Sequence, residues 1–73
     1  MDAARAQRMF GKAVRARRNA LGITQEELAH RAGIHPTYLG DVERGERNIA
    51  LINILKLAKA LGVKAGTLMP DQI

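Results

Sequence analysis

From Gln25 to Gly45 the chain reads QEELAHRAGIHPTYLGDVERG, and the spacing of its apolar residues around Gly33 leaves few folds open. Ala29 stands four residues before that glycine, Ile34 one after, Leu39 six after and Val42 nine after, with Leu28 and Ala32 completing the apolar set. Two short helices joined by a tight turn satisfy all of these positions. Helices crossing at roughly 90–120° need a small residue where they touch, glycine permits the backbone of the turn, and the apolar residues must face one core. The segment predicts a helix-turn-helix.

The rest of the chain is helical by the same reasoning, because no segment alternates apolar and polar residues with period two. A first helix is expected over Ala3 to Ala20, with Phe10, Val14, Arg18 and Leu21 on one face and Gly22 at its end. Thr24 is an N-cap residue for the second helix, with Glu27 completing a capping-box pattern, and Gly33 ends it. The third helix starts with His35 as cap and Pro36 at the first helical position, and closes near Arg44 and Gly45. After a loop, Leu51, Ile54, Leu55, Ala58 and Leu61 mark the buried stripe of a fourth helix that stops at Gly62, and Asn48 is a candidate cap for it. A fifth, short helix falls between Lys64 and Met69 before Pro70. The expectation is an all-α, compact five-helix bundle.

At 73 residues the chain holds one domain, 1–73, and a domain of that size buries only about 60% of its unfolded surface. With no cysteine and two histidines, His30 and His35, it offers no disulfide, no zinc site and no thiol nucleophile, so neither cofactor nor metal is expected. Twelve Lys and Arg against seven Asp and Glu give a net charge of +5, which favours polyanionic partners. No apolar run approaches the ~20 residues of a membrane span, and the first eighteen residues have no signal-peptide core, so a cytoplasmic, nucleoid-associated protein is expected. No nucleophile with its base and no phosphate-cradling loop is present, which argues against an enzyme.

LGITQEELA at Leu21–Ala29, YLGDVERGERN at Tyr38–Asn48 and ILKLAKALGV at Ile54–Val63 occur in an order and at distances that resemble the lambdoid-repressor and Cro-like (Xre) helix-turn-helix family, over roughly residues 7 to 69. The segment TYLGDVERGERN also looks like the controller proteins of restriction-modification systems. The resemblance implies a lambda-repressor-like bundle that binds double-stranded operator DNA, commonly as a symmetric dimer, and so a sequence-specific transcriptional regulator on a palindromic site. An antitoxin-like module that holds a toxin and binds its own operator is the alternative. RNA polymerase is a further possible partner for a domain that carries no effector domain of its own.

Taking Leu39 and Val42 as the buried side of the third helix turns Thr37, Gly40, Asp41 and Arg44 outward, with Pro36 and Tyr38 at the edges. A recognition helix presents its N-terminal residues to base edges, so His35, Pro36, Thr37, Tyr38 and Asp41 are the candidate base readers. Two of them carry a second reading: His35 as a cap alone, and Tyr38 as a residue packed sideways on the second helix. Pro36 has no donor where family members often place Gln, Ser or Arg, which shifts weight to DNA shape. Gln25, at the start of the second helix, is a phosphate-binding candidate, and the resemblance implies the same use. Arg44, Arg47 and Asn48 resemble the family's second phosphate clamp, and Arg15 and Arg17 are candidates for the flanks.

Arg18 continues the Phe10 and Val14 face inward, where a guanidinium needs a carboxylate, and Glu43 on the inner flank of the third helix is the expected partner. One reading helix covers half a site, which points to a two-fold homodimer. Ile49, Ile52, Leu57, Met69 and Ile73 are the candidate interface residues, with a peripheral core contact as the competing reading.

Overall fold

In the computed structural model, which describes residues 2–70, the helices begin and end where capping chemistry puts them. The order is α1 (Ala3–Ala20), α2 (Gln25–Ala32), α3 (Pro36–Glu43), α4 (Leu51–Leu61) and α5 (Ala65–Leu68). Asp2 caps α1 by accepting from the Arg5 amide at 2.6 Å. Thr24 accepts from the Glu27 amide at 3.1 Å, while the Glu27 carboxylate takes Arg31 at 3.0 Å and does not close the reciprocal half of a capping box. His35 Nδ1 accepts from the Thr37 amide at 3.0 Å, with Pro36 in the first turn of α3. Gly33 and Gly62 cap α2 and α4 at φ 70°, in the left-handed region that glycine enters without strain.

The core joins all five helices: Phe10 and Val14 from α1, Leu28, Ala29 and Ala32 from α2, Leu39 and Val42 from α3, Leu57, Ala58 and Leu61 from α4, and Leu68 from α5. Packing follows a crossed plan in which α1 lies chiefly against α3 and α2 lies against α4 and α3. The helix-turn-helix is therefore held from both sides. α1 supports the back of α3, and α4 supports α2.

Four sequence-based expectations need correction. Leu21 is 39% exposed, because α1 ends at Ala20 and Gly22 turns the chain before that side chain reaches the core. The buried stripe of α4 is Ile54, Leu57, Ala58 and Leu61, not the stripe through Leu51 and Leu55, which are 69% and 48% exposed. LINILKLAKAL is apolar on most of its circumference, so periodicity alone leaves the rotation of the helix open. Leu57 is consequently fully buried and belongs to the core, not to a dimer surface. Finally, α4 starts after Ala50 with no side-chain cap, so Asn48 does not serve that purpose.

Candidate nucleic-acid interface

The outward N-terminal end of α3 exposes His35, Pro36 and Thr37, while Tyr38 is half-buried. The Tyr38 hydroxyl reaches α4, where it accepts from Asn53 Nδ2 at 3.2 Å. Over the tyrosine ring lies the Arg47 guanidinium, 5.2 Å from the centroid, a cation–π distance. Gly40, expected to face outward, is buried under the Gln25 and Arg44 side chains; a Cβ there would stand 3.3 Å from Arg44 Nη1 and 3.7 Å from Gln25 Oε1.

Behind this face stands a buried charged network. Arg18 Nε donates to Glu43 Oε2 at 2.7 Å, and Arg18 Nη2 donates to Oε1 at 3.1 Å, a bidentate pair. Arg18 Nη1 donates to the Ile23 carbonyl at 2.9 Å, and Gln25 Nε2 donates to Glu43 Oε1 at 2.9 Å. The Glu43 side chain is 3% exposed and that of Arg18 12%. Hydrogen bonding to Glu43 raises the Arg18 pKa above its ordinary value, outweighing the opposing effect of burial, so the guanidinium keeps its charge. The Arg18–Glu43 pair thus ties together the end of α1, the loop before α2, the first residue of α2 and the last residue of α3. Among the described residues no buried side-chain polar atom lacks a partner.

Gln25 was expected to meet phosphate. Its amide nitrogen faces inward on Glu43, and its Oε1 lies at the Gly40 corner.

The cations beyond α3 are engaged as well. Arg44 Nη2 donates to Asp41 Oδ1, Arg44 Nε donates to Glu46 Oε1 at 3.0 Å, and Arg47 Nε donates to Asp41 Oδ2 at 3.3 Å. The Glu46 hydrogen bond, more than Asp41, raises the Arg44 pKa. Both guanidinium groups remain about half exposed, and Asn48 is exposed beside them. Arg17 Nε donates to the Leu61 carbonyl at 3.1 Å, at the C-terminal end of α4. Arg15 is exposed on α1, and none of the described contacts joins it to α3.

Of the interface candidates, Ile52 is 60% and Met69 44% exposed, Ile49 is half-buried, and Ile73 lies outside the described residues. Leu51 and Leu55, which sequence periodicity assigned to the core, join Ile52 on the exposed side of α4. Sequence reasoning missed two positioning residues. Gly11 is buried where α1 meets α3, and a mid-helix glycine is itself a signal of close approach. Asn53, polar within the apolar run LINIL, fastens α4 to Tyr38.

Among the described residues no three His, Cys, Asp or Glu are placed to hold a metal, and no helix is long and apolar enough to cross a membrane.

The helix-turn-helix family model matches residues 14–68. The chain is 45% identical over 62 residues to control protein C.BamHI of Bacillus amyloliquefaciens, covering 84% of this chain and 76% of that protein. It is 46% identical over 59 residues to control protein C.SmaI of Serratia marcescens, covering 81% and 70%. Its fold superposes on the crystal structure of the restriction-modification controller protein C.AhdI from Aeromonas hydrophila with a TM-score of 0.84 at 46% identity, covering 86% of this chain and 96% of that one.

Proposed function

The chain belongs to the Cro-like (Xre) helix-turn-helix family of DNA-binding transcriptional regulators, a non-enzymatic family, and from that premise we propose that it is a restriction-modification control protein binding a two-fold operator as a homodimer. The observation that carries the reading is the exposure of α3, whose N-terminal residues His35, Pro36 and Thr37 face outward and whose C-terminal end is followed by the half-exposed guanidinium groups of Arg44 and Arg47 and by exposed Asn48. His35, Pro36, Thr37 and Tyr38 meet base edges in the major groove, with Thr37 on a thymine methyl or a base edge and Tyr38 contributing its ring. Pro36 presents no donor, so part of the selectivity comes from DNA shape. Asp41, with an arginine on each carboxylate oxygen, has a different part, taken up below.

Affinity comes from the backbone. Arg44, Arg47 and Asn48 contact phosphates beyond the C-terminal end of α3, the first turn of α2 at Gln25 receives a phosphate at its positive dipole end, and Arg15 reaches a flank.

Size supports the dimer. The longest dimension of the described chain is 31 Å, less than the separation of about 34 Å between successive half-sites on one face of B-DNA. One copy therefore reads one half-site. The exposed apolar residues Leu51, Ile52 and Leu55 on α4 and Met69 beyond α5 supply a surface for the second copy, with Ile49 at its margin.

The test is selection of bound sequences from a randomised duplex pool, followed by fluorescence-polarisation titration of the winner against scrambled DNA. Enrichment of a two-fold symmetric site, with scrambled duplex bound at least ~10³-fold more weakly, is the expected result. No enrichment, with affinity that merely collapses as salt rises, would make the binding nonspecific and overturn the reading.

A further inference from the structure

We propose that Asp41 is an internal stand-in for DNA phosphate, a carboxylate that occupies Arg44 and Arg47 until α3 docks in register on its site. The proposal rests on the reading of α3 given above. Asp41 Oδ1 receives Arg44 Nη2 and Oδ2 receives Arg47 Nε at 3.3 Å, while Glu46 holds Arg44 Nε at 3.0 Å. Within the cluster two carboxylates cancel two arginines, although the chain as a whole carries +5.

The layering is informative. The arginine side chains are 57% and 51% exposed and the Asp41 side chain 22%, so the cations form the outer layer and the acid lies beneath them against the helix. A carboxylate and a phosphate offer a guanidinium the same pair of acceptor oxygens. A phosphate arriving at the outer layer therefore exchanges for Asp41 without requiring a new side-chain arrangement. Exposed ion pairs are individually weak, so the exchange is easy. Each nonspecific encounter must nevertheless displace the acid and then lie close to it, with no base contact in return. Asp41 stands one helical turn beyond Thr37, so docking Thr37 on its base brings phosphates to Arg44 and Arg47 in the same step. The acid thus lowers binding to wrong sequences more than binding to the right one.

The experiment is a salt series of polarisation titrations on the selected site and on scrambled duplex. It uses the wild-type protein and Asp41→Asn, each also in an Arg44→Ala/Arg47→Ala background, with folding checked by thermal melts. The Asn variant is expected to bind scrambled duplex about tenfold more tightly, with a log–log salt slope steeper by about one to two, while the selected site gains less. In the double-alanine background that gain disappears. Unchanged scrambled binding and slope would overturn the proposal. So would a gain that persists without the arginines, which would mean direct repulsion of DNA, or a loss confined to one base pair, which would make Asp41 a base reader. Asp41→Ser supplies the same arms if the Asn variant does not fold. A wild-type protein that discriminates no sequence overturns the reading of α3 and this proposal together, whereas discrimination by the wild type with an unaltered variant overturns this proposal alone.

Discussion

Gly11 in α1 lies so close to Val42 in α3 that a Cβ on the glycine would stand 2.3 Å from the Val42 carbonyl oxygen, and 2.7 Å from that of Glu43. The opposing atoms are backbone and have no rotamer to escape into. A few residues on, Gly45 adopts φ +77° where a Cβ would meet the Arg8 Cα at 2.8 Å. The C-terminal end of the reading helix is thus seated on α1 by direct backbone approach. The buried Arg18–Glu43 pair fixes the same end electrostatically.

Gly11→Ala separates local propensity from packing. Alanine favours an isolated helix by about 1 kcal/mol over glycine, whereas forcing a methyl into a filled contact costs about 1–3 kcal/mol or more. The expected outcome in urea denaturation is a net loss of stability, with weaker DNA binding as α3 shifts. A stabilised variant would show that the helices part without cost.

Arg18→Met leaves Glu43 buried without its cation, a loss of about 3–5 kcal/mol by comparison with other broken buried pairs. Replacing both partners, as Arg18→Met with Glu43→Leu, should recover much of that stability in the same urea titration but not the DNA affinity, because Gln25 also loses its acceptor. If Arg18→Met alone kept both fold and affinity, the pair would have no part in presenting α3.

On α4, two leucines six residues apart should respond in opposite ways. Leu57→Ala opens the core and should cost about 2–5 kcal/mol. Leu51→Ala, at a position 69% exposed, should change the stability of the monomer fold by no more than about 0.5 kcal/mol.

Ile52→Glu places a charge on the proposed dimer surface at a position already 60% exposed, so the domain should remain folded. Sedimentation is expected to give a monomer, and operator affinity to fall because two half-sites are no longer bound together. A folded variant that still sediments as a dimer would remove Ile52 from the interface.

Much of the architecture was legible because punctuation is chemically specific. Thr24, the His35–Pro36 pair, Gly33 and Gly62 each have a narrow set of structural uses, and each stands at the helix end expected of it. Arg18 was legible for a related reason: a cation on the Phe10 and Val14 face required an acid opposite, and Glu43 is there. The rotation of α4 was not, since LINILKLAKAL offers several apolar faces and tertiary packing selects among them. The Arg17 contact with the Leu61 carbonyl was not legible, because chain folding brings the end of α4 to α1, and the Arg47 contact with Asp41 depends on the turn that follows α3.

The most direct measurement of how α3 reads DNA is a polarisation titration of wild-type protein and Thr37→Ala against the selected site and its complete set of single base-pair variants. The expected result is specificity relaxed at one symmetric pair of positions, by about 1–3 kcal/mol, with discrimination elsewhere unchanged. A uniform loss of affinity across every variant duplex would contradict it, because Thr37 would then position the backbone and the N-terminal face of α3 would not be the reading surface.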